Sequence, residues 1–315
     1  MAEPHRILVI RLGALGNIVQ SLGPFAAIRA HHAAAEITLL TRAPYAGWLA
    51  DAPYFDRIWI DAAPAWWNAL GWRRLRRRLI DGGFARVYDL QTSGRSSRYF
   101  HLFPRTARPE WSGIARGCSH PDPDPARNAR HDLTRQRGQL AAAGIAHVPD
   151  PDLAWTRGDL ARFGLPPRIA LLVPGSAPHR SDKRWPVAHY RAAAAALVTG
   201  GLAPVIVGGD DERALGRAIA DGTGARDLTG ETTLGEVAAL GRAAALAIGN
   251  DTGPMHLIAA VGCRAVVLFS RASDPALCAP WGRQVAVLRR PDLADLAPEE
   301  VLRTAQIDAS SLADR

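Results

Sequence analysis

Apolar residues fall in short runs along this chain. Ile7 to Ile10 is one, followed by a turn containing Gly13 and Gly16 and then by Ile18, Val19, Leu22, Phe25, Ala26 and Ile28 at helical spacing. The order is strand, glycine turn, helix. It recurs at Ile37 to Leu40 and Ile58 to Ile60, which read as strands, at 66–80, which reads as a helix, and at Val87 to Leu90, again a strand. Beyond residue 160 the rhythm restarts. Strands are predicted at Ile169 to Val173, Pro204 to Val207, Leu246 to Ile248 and Ala265 to Phe269, and helices at 187–198, 211–220, 234–242 and 254–261. Strands alternating with helices give a parallel sheet covered on both faces. The pattern therefore predicts an α/β chain of two doubly wound domains, 1–160 and 161–315, with the passage between them in the proline-rich stretch Pro149 to Pro167. Residues 119–125, SHPDPDP, are expected to hold neither helix nor sheet ladder. Ligands of such sheets bind beyond the carboxyl ends of the strands, so two facing domains are expected to share one cleft.

Composition narrows the class. A chain of 315 residues fits two cores at about 150 residues each. With 48% hydrophobic and 22% charged residues it is not a disordered chain. No run of about 18 apolar residues escapes interruption, so neither a membrane span nor a signal peptide is expected. Cys118, Cys263 and Cys278 are odd in number and lack zinc spacing, which fits reduced thiols in the cytoplasm. Charge is divided unevenly. Residues 1–160 hold 21 arginines against 14 acidic residues, whereas 161–315 hold 17 basic against 16 acidic, so nearly all of the net +8 lies in the first half. Such an excess favours an anionic partner, although an arginine-rich composition gives the same balance without one. The segment WWNALGWRRLRRRLI, 66–80, sharpens the question. Trp66, Trp67, Leu70, Leu75 and Leu79 give an apolar side, and Arg73, Arg74, Arg76, Arg77 and Arg78 give five charges. It can lie on an anionic membrane surface, pack on the sheet with its arginines solvated, or do both.

Three segments of the second half carry candidate chemistry. VPGSAPHRSDKRWP, 173–186, runs from strand to helix; Gly175 allows close backbone approach, Ser176 offers a hydroxyl, and Lys183 is the only lysine among 38 basic residues. An ammonium acts on phosphate as a point charge, so the loop reads as a phosphate cradle. It lacks the Walker spacing, so a P-loop ATPase is not supported. GNDTGPMH, 249–256, follows a strand directly. On the residues alone Asp251 or Thr252 caps the next helix, Gly253 exposes backbone N–H groups to an anion, and His256 is a packed helix residue. VIVGGDDERA, 205–214, places Glu212 near a strand end, where it can accept from ribose hydroxyls or simply favour a helix start.

Together these segments resemble the donor-binding half of the glycosyltransferase family 9 enzymes, the ADP-heptose heptosyltransferases of lipopolysaccharide core synthesis. RILVIRLGALGN, 6–17, resembles that family's opening strand and turn, and DLQTSGRSSR, 89–98, its Asp-x-Gln segment. The resemblance implies the GT-B fold, with the acceptor on the first Rossmann-like domain and the nucleotide-sugar donor on the second. Gly175, Ser176 and Lys183 fall at the donor phosphates, with two extra residues before Lys183. Asp251, Thr252 and Gly253 fall at the diphosphate and sugar with His256 beside them, Glu212 at the ribose, and Thr232 and Thr233 where the chain passes the nucleobase. Arg11, Gly13, Gly16, Gln91 and Arg95 fall on the acceptor side. Lys183 and the helix-terminal amides supply charge to the leaving diphosphate. No cofactor and no metal are expected.

One position departs from the family. The Asp that usually ends the opening turn, and is taken as general base, is Asn17 here. An amide can orient a hydroxyl but cannot remove its proton. Another carboxylate can serve, Asp89 first; the chain can bind without turnover; or an Asp has been replaced deliberately. The expectation is a cytoplasmic transferase, peripheral on the cytoplasmic face of the inner membrane. It would move a heptose-like sugar from ADP-heptose to an anionic lipid-linked saccharide such as lipopolysaccharide core, with inversion. The rival is a catalytically silent sugar-nucleotide or glycan-binding protein. A nucleic-acid partner rests on the basic balance alone and is not expected.

Overall fold

The computed structural model describes residues 5–177 and 179–305, in two compact units, Met1–Pro151 and Asp152–Arg315. The first contains strands β1 (Arg6–Ile10), β2 (Glu36–Thr41), β3 (Arg57–Ile60), β4 (Arg86–Asp89), β5 (Glu110–Gly113) and β6 (His120–Pro121). Its helices are α1 (Leu15–Gln20), α2 (Leu22–His31), α3 (Ala43–Ala50), α4 (Ala69–Asp81), α5 (Gly94–Phe100) and α6 (Asp132–Ala142). The strands pair in parallel in the order β3-β2-β1-β4-β5-β6. The chain thus builds outward from β1 in one direction, returns, and builds outward in the other. The turns after β1 and β4 leave the sheet side by side, with Ile10 paired to Asp89.

The second unit repeats this plan with β7 (Ile169–Val173), β8 (Ala203–Ile206), β9 (Arg226–Asp227), β10 (Leu246–Asn250), β11 (Ala265–Phe269) and β12 (Val285–Arg289). Its helices are α7 (Val187–Thr199), α8 (Arg213–Ala220), α9 (Leu234–Ala243), α10 (Gly253–Ala260), α11 (Pro275–Cys278) and α12 (Pro298–Thr304). The order is β12-β11-β10-β7-β8-β9, again all parallel, so β7 and β10 stand where β1 and β4 stand in the first unit. Such a reversal of strand order opens the crevice in which doubly wound sheets hold ligands.

Helices on both faces explain the uninterrupted apolar strands: every residue of β7 and β11 is buried. Leu172, Trp185, Tyr190 and Ile248 anchor one core, and Leu8, Ile10, Tyr99 and Trp111 anchor the other. Truncating a core leucine such as Leu8 or Leu172 to alanine costs about 2–5 kcal/mol. Trp185 meets its polar requirement by donating from Nε1 to Leu296 O at 2.8 Å.

Three differences from the expected elements have physical causes. The helix expected over 18–28 is two helices meeting at Ser21, because Pro24 cannot donate within a continuous helix and is tolerated in the first turn of α2. The stretch expected to hold no ladder does hold one: His120–Pro121 pairs with Ser112–Gly113. Proline is tolerated there because β6 is an edge strand. The division between units falls after Pro151 and not near 160. Residues 152–160 go with the second unit because Arg242 donates to Leu153 O at 2.5 Å and to Thr156 O at 3.2 Å. Among the described residues, no helix is long and apolar enough to cross a membrane.

Candidate active site

In the second unit the loop after β7 and the turn after β10 are joined by one buried side chain. Asn250, the last residue of β10, accepts at Oδ1 from Trp185 N at 3.0 Å and from the Tyr190 hydroxyl at 3.2 Å. Its Nδ2 donates to Pro174 O at 2.7 Å and to Gly175 O at 3.2 Å. An amide is the one side chain that both donates and accepts in this way at a single buried point. The sequence reading passed over Asn250 in favour of its neighbours; the available signal was a lone amide ending an apolar strand.

On this joint Lys183 meets Asp251, Nζ donating to Oδ2 at 2.5 Å. Ser273 Oγ donates to the same oxygen at 2.7 Å, and His256 Nε2 lies 4.0 Å from Oδ1. Neither capping role read from the residues is made. Asp251 turns towards Lys183, and Thr252, the N-cap residue of α10, makes no side-chain capping bond. Pro254 has no N–H to be capped, and α10 starts at Gly253 without a side-chain cap from Thr252. His256 is packed, as the residues alone suggest, and also faces Asp251.

Ser176 is committed within its own loop, donating to Arg180 O at 2.8 Å and accepting from Arg184 Nε at 3.0 Å. The hydroxyl is therefore turned inward, and Arg184, which the sequence reading did not single out, joins Arg180 and Lys183 as the third cation of the loop. Of this loop only Pro178 lies outside the described residues. Glu212 sits between two glycines. A Cβ on Gly175 would lie 1.7 Å from Glu212 Oε1, and one on Gly208 would lie 2.4 Å from Oε2. Burial raises the Glu212 carboxyl above its ordinary range, against the bond it accepts from Gly209 N at 2.8 Å. Thr233 is the cap of α9. Its hydroxyl accepts from Glu236 N at 3.2 Å, and Glu236 Oε2 accepts from Thr233 N at 2.8 Å. The Arg162 hydrogen bond holds the Glu236 carboxyl down to about 2. Gly175, Ser176, Lys183, Glu212, Asp251, Gly253 and His256 thus gather on the loops at the carboxyl ends of β7, β8 and β10. Thr232 and Thr233 lie at the start of α9, just past Gly230, whose N donates to Gly208 O at 2.8 Å.

In the first unit the equivalent turns are braced from behind. Arg11 is 2% exposed and donates to Leu90 O at 2.5 Å, to Asn17 O at 3.2 and 3.1 Å, and to Asp132 Oδ2 at 2.5 Å. Burial would raise the Asp132 carboxyl, but Arg11 and Arg135 hold it below the usual range. Arg11 therefore braces the turn that bears Asn17 from within. Gly13 has φ +118°, and a Cβ there would lie 2.8 Å from the Tyr45 ring. Gly16 is buried within α1. Asn17 is half-buried, with Nδ2 3.4 Å from Gly13 O. Gln91 Oε1 accepts from Leu12 N at 2.8 Å and ties the two turns together. Arg95 donates to the Tyr99 hydroxyl at 2.8 Å and to Pro64 O at 3.2 Å, which turns it towards the loop after β3.

Asp89 ends β4 with no exposed surface. Its Oδ1 accepts from Thr92 N at 3.0 Å, and its Oδ2 has no hydrogen-bond partner among the described residues. Burial pushes its carboxyl up to about 7. A general base must reach the proton it removes, and in this structure the Asp89 carboxyl has no exposed surface. The bonds it makes here are structural. Thr92 has φ 43°, unusual for a β-branched residue, and is held there by Asp89 and by Arg127, which donates to its hydroxyl at 2.9 Å.

The sequence pattern of glycosyltransferase family 9 (heptosyltransferase) matches residues 72–301. The chain belongs to glycosyltransferase family 9. Among solved structures it is similar to the glycosyl transferase family 9 protein from Veillonella parvula DSM 2008, at 19% identity over 98% of this chain and 97% of that one, with a TM-score of 0.81. It is also similar to the E. coli heptosyltransferase WaaC with ADP, at 20% identity over 96% and 99% of the two chains, TM-score 0.74. A third is E. coli ADP-heptose LPS heptosyltransferase II, at 21% identity over 97% and 99%, TM-score 0.74. No curated protein matches the chain in sequence. The chain is accordingly a glycosyltransferase with the GT-B fold. The segment matched to family 9 includes Lys183, Glu212 and Asp251, whereas the turn bearing Asn17 precedes it.

Proposed function

We propose that this family 9 enzyme transfers a heptose-like sugar from ADP-heptose to an anionic lipid-linked saccharide of the lipopolysaccharide core type, with inversion at the anomeric carbon. The observation that carries the reading is the Lys183–Asp251 pair beside the uncapped start of α10, at the point where strand order reverses. A diphosphate seated there would meet an ammonium and the start of α10, both of which favour the charge that grows on the leaving group as the glycosidic bond breaks. Asp251, released from Lys183 by the diphosphate, then faces the sugar hydroxyls together with His256. Glu212 takes the ribose, and the chain at Thr232 and Thr233 takes the base. The solved WaaC complex with ADP supports an adenine nucleotide. The acceptor binds at the turns after β1 and β4, where Asn17 orients its hydroxyl. We propose further that the reaction needs neither cofactor nor metal, and that the protein works in the cytoplasm against the inner face of the membrane.

Asn17 and the enclosed Asp89 favour a second reading, binding without turnover. The two are separated by incubating the enzyme with ADP-heptose and extracted, heptose-deficient glycolipid. Release of ADP with a heavier glycolipid supports transfer. Tight ADP-heptose binding with no product, in this form and in Asn17→Asp, supports the silent binder.

A further inference from the structure

We infer that the corner formed by Trp66, Trp67 and Leu70, with the adjoining face of α4, docks the protein on an anionic phospholipid bilayer. The inference deepens the reading above, in which the acceptor is lipid-linked, by assigning the surface that brings the enzyme to it.

The corner is firmly built. Tyr99 donates to Asp61 Oδ2 at 2.8 Å, Arg95 donates to Pro64 O at 3.2 Å, and Trp72 Nε1 donates to Ala65 O at 3.0 Å. Asn68 caps α4 by accepting from Gly71 N at 2.8 Å. These bonds hold the chain in a shape that turns both neighbouring indoles outward, Trp66 80% and Trp67 70% exposed, edge to face with centroids 5.4 Å apart. Leu70 is 58% and Ile60 48% exposed. Four of the eight large apolar side chains exposed among the described residues therefore fall within residues 60–70, a concentration that marks an interaction surface.

The inner side of α4 is occupied, because Leu75 and Leu79 are buried in the core. The apolar side read from sequence is thus split, the C-terminal leucines packing and the N-terminal end left free. Leu70, Arg73, Arg74 and Arg77 share one outward face at helical spacing, and all are exposed. Residues 62–80 contain no carboxylate; Asp61 just before them is buried and bonded to Tyr99, and Asp81 just after them lies 3.7 Å from Arg77. Two indoles beside a row of three exposed guanidiniums, with Asp81 against Arg77 alone of the three, fit a partner with a plane of negative charge and apolar depth just beneath it. An anionic bilayer has that profile, since indoles settle at the headgroup level and arginines gain from acidic lipids. The placement also serves the reaction. α4 begins at the carboxyl end of the sheet, and Arg95 joins the corner to α5, which starts two residues after Thr92. A bilayer touching Trp66 and Trp67 therefore lies on the side of the first unit where the turns after β1 and β4 open.

The test is co-sedimentation of the full chain with phosphatidylglycerol–phosphatidylcholine vesicles and with phosphatidylcholine vesicles. Binding is expected for the mixed vesicles alone. Trp66→Ala with Trp67→Ala should lower the partition coefficient roughly tenfold or more, and the two phenylalanine replacements should recover part of it. Arg73→Gln, Arg74→Gln and Arg77→Gln together should weaken binding and flatten its salt dependence. All variants should keep the melting temperature and ADP binding of the parent. Unchanged partitioning of the alanine pair overturns the proposal, as does equal binding to neutral vesicles, or a dimer that the alanine pair dissolves. Transfer to a deacylated acceptor separates the two readings. Turnover there without any vesicle binding sinks the docking surface alone, whereas tryptophan-dependent vesicle binding with no turnover on any acceptor sinks the transferase reading alone.

Discussion

Replacing Lys183 with alanine should do two separable things. The ammonium and Asp251 form a 2.5 Å pair whose side chains are 16% and 6% exposed. Removing one partner of a fully buried pair costs about 3–5 kcal/mol, chiefly because the other charge is left unpaired. Here Ser273 still donates to Asp251 at 2.7 Å and Lys183 keeps some solvent contact, so about 2 kcal/mol of stability is the reasonable figure. The second effect is on the donor. The variant loses a charge-assisted bond to the diphosphate, about 1.5–3 kcal/mol, or roughly 10- to 100-fold in Kd. It also leaves the Asp251 carboxylate to repel the ligand. Urea denaturation measures the first effect and calorimetry with ADP the second. Lys183→Ala combined with Asp251→Ala should regain most of the lost stability, because no unpaired charge remains, yet bind ADP as weakly as Lys183→Ala alone. Lys183→Arg should restore affinity only in part, since a planar fork replaces a point charge. If the double variant also recovers ADP affinity, Lys183 acts only by neutralising Asp251, and the phosphate contact must be abandoned.

Asn17→Asp should raise transfer on the order of 10²-fold with little change in ADP affinity, since a base acts in the transition state; equal rates in steady-state assays would refute this. Asp89→Asn should flatten the pH dependence of stability. The folded protein holds the Asp89 proton up to about 7 against an ordinary value of 3.8, so stability is lost as pH rises through that window, by up to about 4 kcal/mol. Urea midpoints at several pH values, with parent and variant falling in parallel, would contradict that assignment. Gly175→Ala should displace Glu212 and weaken ADP binding about tenfold, and Glu212→Ala added to it should relieve the crowding without restoring full affinity; a Gly175→Ala protein that binds normally would remove Glu212 from the donor site.

What could be read from the sequence were the features that local pattern controls. The apolar runs of β1, β7 and β11 announce themselves because strands covered on both faces need no alternation. Edge pieces such as β6 and β9, two residues each, owe their form to a neighbour and leave no period to detect. Motif residues were found for the same local reason, Lys183 by its uniqueness and Asp251 by its place after a strand. The partners that give them their roles come from elsewhere in the chain. Nothing near Arg11 announces Asp132, 121 positions away, and nothing near Lys183 announces Ser273. Asp89 shows the same limit: as a carboxylate of the first domain it came first in place of the family base, while its enclosure depends on packing the sequence does not display.

The engaged state of Lys183 also gives the protein a built-in chemical reporter. Apart from the amino terminus, an amine-directed reagent has a single place to react, because the remaining 37 of 38 basic residues are arginines. Acylation requires a reachable amine, and a nitrogen held 2.5 Å from a carboxylate on a side chain 16% exposed is shielded from the reagent until that contact opens. The rate of labelling at one position, followed by intact mass, therefore follows the making and breaking of the Lys183–Asp251 contact without any introduced probe.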